Sequence, residues 1–360
     1  MIGFKKLLGT LTFLALFVPA MCQENGTEST KKFLPGDFVM EHIQDSYQWH
    51  ITDIGSKKIT IPLPIMLYSK HSGFCFFLSS QLHSGKYGSF HISEKGVYQG
   101  KLVESVVGAN GATKESRPLD FSISKNVVSL FVISAIMLVV FLTIANRYKK
   151  NPDTAPHGIQ NLFEPIIIFV RDEIAIPSIG VERYNKFMPL LLTVFFFIWF
   201  SNLLGIIPVF PGGANVTGNI AITMVLAVLI FIITTISTNK DYWVEIFNNP
   251  EIPWFLKYPI PLMPLVEITS VFTKPIILMI RLFANILAGH MVAIVFFSLI
   301  FIFGQMSAVA GYGFSVFTIA FTVFMTLLEL LVAFIQAYVF TMLSAIYFGM
   351  AKVELRHHNK

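Results

Sequence analysis

From Tyr312 to Met350 the chain carries one charged residue, Glu329, and from Pro264 to Phe303 its only ionisable side chains are Glu267, Lys274, Arg281 and His290. Runs this long and apolar leave few folding options. As α-helices rising about 1.5 Å per residue, each would extend about 60 Å, against a hydrocarbon core of about 30 Å. In lipid a backbone must satisfy its own hydrogen bonds, which favours helix throughout both runs. Ordinary tilts reach only about 40°, so the two helices must cross the bilayer steeply or break. Gly304-Gln-Met-Ser-Ala-Val-Ala-Gly-Tyr-Gly313 lies between them and reads as the turn of an antiparallel hairpin.

A charge at mid-bilayer costs roughly 2.5–3.5 kcal/mol on insertion scales. Arginine cannot shed it, because its pKa stays above about 12. Arg281 therefore needs a polar cavity, a carboxylate partner, or both. At about 100° per residue, Glu267, Lys274 and Arg281 share one helix face, and Asn285 lies about 40° away. Ala284 and Ala288 border Arg281, and small residues there let another helix come close. Glu329 and Gln336 share one face of the second long helix. Folding the hairpin at the middle of its turn sets Arg281 level with Gln336 and His290 level with Glu329. The second layer then lies about 10–14 Å nearer the turn. Two readings of Arg281 stay open on residues alone: an internal ion pair that fixes helix packing, or a charge held for ion movement.

Composition sets the class: 54% of residues are hydrophobic, 13% are charged, and mean hydropathy is +0.67. This is an integral membrane protein. The net charge of +5 is spread beside membrane spans rather than gathered in one patch, which argues against nucleic acid as a partner. Cys22 and Cys75 form no metal or redox motif, though a disulfide between them is conceivable outside the cell. No cofactor and no metal are expected.

Residues 1–20 read as a secretory signal peptide: Lys5-Lys6, the apolar Leu7–Val18, then Val18-Pro-Ala20 as cleavage site. Residues 21–120 read as a small β-rich extramembrane domain. Its strand candidates are Gln48–Thr52, Lys58–Tyr68, Phe74–Leu78 and Ser89–Ile92, the last followed by a turn at Ser93–Gly96. Its histidines, His42, His50, His71, His83 and His91, lack metal-ligand spacing and read as surface residues. Residues 121–360 form the membrane domain, with about five transmembrane helices near 127–145, 188–210, 220–236, 264–303 and 312–350. Asn161–Ile176 is expected as an amphipathic interfacial helix, with Arg171, Asp172 and Glu173 on its solvated face. The loops 146–186 and 239–262 and the tail 351–360 carry six, two and three Lys or Arg residues, while 208–219 and 304–311 carry none. That bias puts the C-terminus in the cytoplasm and, with five spans, the N-terminal domain in the periplasm. The signal peptide implies the same orientation.

Arg281-Leu-Phe-Ala-Asn285 together with the Glu329…Gln336 helix resembles the a subunit of F-type ATP synthases, and the resemblance covers roughly residues 120–350. Asn202-Leu-Leu-Gly-Ile-Ile-Pro208 fits the same family. The order of His290 and Glu329 is the reverse of that in many bacterial members, and still provides one carboxylate and one imidazole at one depth. The resemblance implies that the long hairpin slopes across the bilayer, curved against a ring of c subunits. It implies that Arg281 faces that ring, and that His290, Glu329, Gln336 and Asn285, with Glu267 and Lys274, line two proton half-channels. Asn219 matches a family asparagine near the outer half-channel, and on residues alone reads equally as a helix N-cap. The acidic residue that often precedes that asparagine is replaced here by Thr217. The N-terminal domain is extra relative to compact members.

On this reading the protein is the non-catalytic stator of a proton-driven rotary motor in a bacterial inner membrane. Its partners would be the c-ring, the b-subunit stalk, other synthase subunits and lipid. A potential of about 100 mV supplies about 2.3 kcal/mol per charge to drive the passage. The main alternative is a secondary ion transporter or ion channel, although the paired repeats with interrupted helices usual in transporters are missing. A membrane-anchored periplasmic binding protein is a third class, and it leaves the matched polar layers unexplained.

Overall fold

The computed structural model describes residues 45–54, 57–82, 89–93, 98, 100–107, 113–150, 155–207, 212, 214, 216–248, 262–306 and 308–351. The signal-peptide and Cys22 expectations, and His42 and His83, lie outside the described residues. The N-terminal region is built from antiparallel strands. β1 (Gln48–Ile54) pairs with β2 (Lys57–Pro62). β3 (Pro64–Ser69) sits between β4 (Gly73–Leu78) and β8 (Leu119–Asp120). β6 (Leu102–Val107) sits between β5 (Phe90–Ile92) and β7 (Thr113–Ser116).

The single strand expected over Lys58–Tyr68 is two strands in two sheets. Pro62 and Pro64 flank Leu63, and neither has an N–H to give to a ladder, so pairing changes there. Alternation then works as a strand should: Ile65 and Leu67 point inward onto Phe77, Phe90 and Leu102. The carboxylate of Glu104, buried on β6, accepts hydrogen bonds from the hydroxyls of Ser69 and Ser72, tying the two three-stranded sheets together. Strands β6 to β8 were not among the sequence expectations.

Backbone pairing carries on past β8, with Phe121 N donating to Met66 O and Ile123 N to Pro64 O. The chain then enters helix α1 (Lys125–Lys150). Lys125 N donates to Ser46 O, and Asn126 N donates to the Asp45 carboxylate at 3.2 Å, which satisfies donors that a helix start leaves free.

α2 (Ile159–Phe169) follows and runs through one wide π turn, Val170–Ala175, into the short α3 (Ile176–Ile179). Pro177 accounts for the wide turn, because its ring displaces the carbonyl four residues back and it has no N–H. Arg171, Asp172 and Glu173 are exposed, while Val170, Ile174 and Ala175 are buried in the main core. The segment expected as an interfacial helix is thus one continuous helical stretch, widened by a π turn and packed on the bundle by one side.

α4 (Tyr184–Ile206), α5 (Ile220–Ile236) and α6 (Lys240–Asn248) lead to the two long helices α7 (Leu262–Met306) and α8 (Ala308–Met350). Four helices contain segments long and apolar enough to cross a membrane: Lys125–Lys150, Tyr184–Ile206, Leu265–Gly289 and Gly313–Met350. Ile220–Ile236 is a shorter apolar helix, near the minimum of about 17 residues for a span. The fold is therefore a helical membrane protein with a small β-rich N-terminal region. Aromatic rings dominate its core, with Phe163, Phe195, Phe196, Phe200, Trp199 and Phe334 in mutual contact.

The ten-residue turn expected at Gly304–Gly313 is much tighter. α7 continues to Met306 and α8 begins at Ala308. Each residue kept in the helix keeps its backbone hydrogen bond, and in apolar surroundings that outweighs the weak helix preference of two glycines, about 1 kcal/mol each.

Candidate functional site

The hairpin sets the register on which the polar residues meet. Near the turn, Phe303 packs on Phe314 and Phe296 on Phe321, with ring centroids 4.3 and 4.0 Å apart. Farther out, Asn285 Nδ2 donates to Gln336 Oε1 at 2.9 Å, and Lys274 Nζ lies 5.7 Å above the Tyr347 ring. Between these levels α8 advances about one helical turn more than α7, so the helices run obliquely to each other. Level pairing of Arg281 with Gln336 is thereby corrected: Asn285, one turn nearer the hairpin's end, takes that place.

Arg281 is exposed on α7, and no side chain among the described residues forms an ion pair or hydrogen bond with it. The internal ion-pair reading of this arginine therefore fails among the described residues. Gln336 is 3% exposed, and its Nε2 is buried with no protein partner among them.

A cavity of about 180 Å³ opens between α4, α7 and α8, lined by Asn202, Asn285, Gly289, Glu329 and Ala333 together with apolar side chains. That is room for several waters. Glu329 is half-buried, and its Oε1 is shielded and unpartnered among the described residues. A Cβ added to Gly289 would come within 3.3 Å of that oxygen, so α7 passes close to Glu329 at this glycine. His290 follows on the same helix, and its side chain lies outside the described residues.

One cavity residue, and the residue bonded to it, were missed from the sequence as site residues. Asn202 is 3% exposed in α4, and its Nδ2 donates to Ala333 O at 3.4 Å. Thr217 is 1% exposed, and its hydroxyl donates to Asn202 Oδ1 at 2.6 Å. A lone asparagine within the apolar run of α4 was the available signal for the first. Thr217 stood out only as the replacement of a family acidic residue, and its bond to Asn202 depends on how its loop meets α4.

The other predicted residues stand apart from this cavity. Asn219 Oδ1 accepts from Ala221 N at 3.0 Å, so the side chain caps α5. Lys274 borders a second, small cavity of about 30 Å³, among Thr234, Thr238, Trp243 and Tyr347. Glu267 lies two turns beyond Lys274, about 27 Å along α7 from Asn285.

Such a fold and cavity define a multi-pass membrane protein whose polar groups are collected on one oblique helix hairpin. Comparison with known proteins gives the particular family: the model for the ATP synthase A chain matches residues 127–349. An ATP synthase subunit a of Chlorobium phaeobacteroides is 40% identical over 280 residues, covering 74% of this chain and 75% of the relative. That of Chloroherpeton thalassium is 39% identical over 245 residues, covering 66% and 69%. That of Myxococcus xanthus is 38% identical over 288 residues, covering 78% and 89%. The chain belongs to the ATP synthase A chain family. Residues 38–121 match a separate family, described as a domain of unknown function (DUF8433).

Proposed function

We propose that the protein is the proton-channel stator subunit of the membrane sector of an ATP synthase, itself non-catalytic. The single observation that carries the residue-level reading is the hairpin's asymmetry. Arg281 is exposed and makes no ion pair or hydrogen bond among the described residues, while Glu329 and Asn285, the latter bonded to Gln336, border a cavity nearer the turn. A fixed cation turned outward is suited to a carboxylate on a partner, a passing ring of c subunits. At about 4 Å and an effective dielectric of about 20, such a pair interacts by about 4 kcal/mol, enough to keep the ring carboxylate ionised as it passes and to block a direct proton leak.

In this reading Glu329, His290, Asn285 and Gln336 form the outer half-channel, with Asn219 near its mouth, and Glu267 and Lys274 belong to the inner one. Glu329 and His290 are side-chain types that exchange protons near neutral pH when their surroundings perturb them. The working divisions are a signal peptide at 1–20, a periplasmic domain at 21–120 and a membrane domain at 121–360 in a bacterial inner membrane, with a cytoplasmic C-terminus. The b-subunit stalk and other synthase subunits are the further partners. The relatives carry the synthase subunit name, and no observation favours the transporter or binding-protein readings.

The test is Arg281→Ala in an intact complex, which should abolish proton-driven ATP synthesis without loss of assembly. Arg281→Lys should fail as well, because a point charge does not reproduce the planar guanidinium fork. Normal synthesis by an assembled Arg281→Ala complex sinks the gate assignment.

A further inference from the structure

Asn202 sits where three elements meet, and its amide has one orientation compatible with its neighbours. Ala333 O is a carbonyl and accepts only, so the group facing it must be Nδ2, at 3.4 Å. Oδ1 then faces Thr217, whose hydroxyl must donate, at 2.6 Å. With Oδ1 engaged and one N–H directed at Ala333, the free valence of the amide is its second N–H. Asn202 lines the cavity that Glu329 also lines, and Ala333 lies one turn beyond Glu329 on α8. The cavity is thereby given a hydrogen-bond donor from α4 rather than an acceptor. Thr217 does not line it, and reaches it through its bond to Asn202.

We infer that Thr217 is a positioning residue of the proton pathway: its hydroxyl locks the Asn202 amide so that a donor, and not a carbonyl, faces the cavity containing Glu329. A donor at that place orders water toward the carboxylate, whereas a rotated amide would set an oxygen against an oxygen. The chemistry of position 217 is therefore that of a buried hydroxyl. The isosteric Thr217→Val change keeps the shape of the packing, removes the donor and leaves Oδ1 of Asn202 buried without a partner.

This inference rests on the half-channel reading above, and the experiment separates the two. Passive proton conductance of the membrane sector is measured in vesicles, per assembled complex, for Thr217→Ser, Thr217→Cys, Thr217→Val, Asn202→Leu, the Val–Leu double variant and Glu329→Gln. Conductance should follow donor strength at 217. Serine should rescue, cysteine should fall between, and valine should lose about tenfold, the order of one hydrogen bond. Adding Thr217→Val to Asn202→Leu should cost nothing further, since the amide it positions is already gone. If the valine complex does not assemble, the serine–cysteine step and the double variant still decide. Equal conductance across the 217 series, with Glu329→Gln blocked, overturns the positioning role alone. Undiminished conductance in Glu329→Gln overturns the half-channel reading and this inference with it.

Discussion

Gln336 has its carbonyl oxygen on Asn285 and its nitrogen buried without a protein partner among the described residues, so this pair is finely balanced. Asn285→Leu should strand the oxygen as well and lower stability by about 1–3 kcal/mol, whereas replacing both residues by leucine should recover most of that loss. Thermal unfolding of the detergent-solubilised chain measures both, and a double variant no better than the single would remove the pair from the account. Tyr47 offers a second test outside the membrane. Burial, and then the hydrogen bond its hydroxyl donates to Asp120 at 2.5 Å, push the phenol above its ordinary value of 10.0. A pKa raised on folding adds stability that is complete below the unfolded value and is lost as pH rises through the folded one. The N-terminal region should therefore weaken progressively above about pH 10, and Tyr47→Phe should remove that alkaline component from thermal scans. At this scale the polar groups of the candidate site were legible as residues, because a polar side chain in an apolar run declares itself, as Arg281, Glu329 and Gln336 do. Thr217 and the bonding of Asn202 were not legible, since a hydrogen bond between segments depends on how α4 meets the loop before α5.

Helix packing makes a sharper set of demands than any single polar group. A Cβ on Gly349 would lie 2.0 Å from the backbone oxygen of Ser178, so α8 touches α3 backbone to backbone there. Gly349→Ala must push the two apart, costing about 1–3 kcal/mol as overpacked cores do. Gly304 and Gly313 have nothing within 4 Å, so alanine there should be neutral or stabilising by about 0.5–1 kcal/mol through helix propensity. Comparing the three in heat-inactivation of the assembled membrane sector checks the contrast, and equal behaviour would mean that the α3–α8 contact carries no strain. The same glycines show where element-level reading falls short. Gly304 and Gly313 read as turn residues, yet the helices run through both, because a turn's identity depends on what its backbone could bond to instead. The proline pair around Leu63 is the converse case: the break between β2 and β3 was written in Pro62 and Pro64, and the long apolar run over Lys58–Tyr68 masked it. The hairpin's topology was readable from its two apolar runs, but its one-turn drift in register comes from an oblique crossing that periodicity does not encode.

At the scale of the whole chain, the transport unit and the N-terminal region look separable, and that can be tested directly. The synthase family match covers 127–349, and the region before it matches a different family over 38–121. The elements that line the polar cavity, α4, α7 and α8, all follow α1. Among the described residues, the bonds found at the junction are the Asp45 and Ser46 contacts at the start of α1 and the strand pairing of Phe121 and Ile123. A chain beginning near Ser124 behind a fused signal peptide loses those acceptors only at the membrane–water boundary, where water can replace them. Its stability should fall by no more than a helix cap is worth, about 0.5–2 kcal/mol. We therefore expect it to assemble with the c-ring and to keep passive proton conductance, per complex, close to that of the full chain. Vesicles holding equal amounts of the two complexes measure this. Normal assembly with conductance lost would mean that residues 21–120 shape the outer entrance, and the histidines there would return as candidates. Failed assembly would instead give the region a docking role, with the exposed Phe74, Phe76, Leu78 and Phe121 of the β4–β3–β8 sheet as the first surface to mutate.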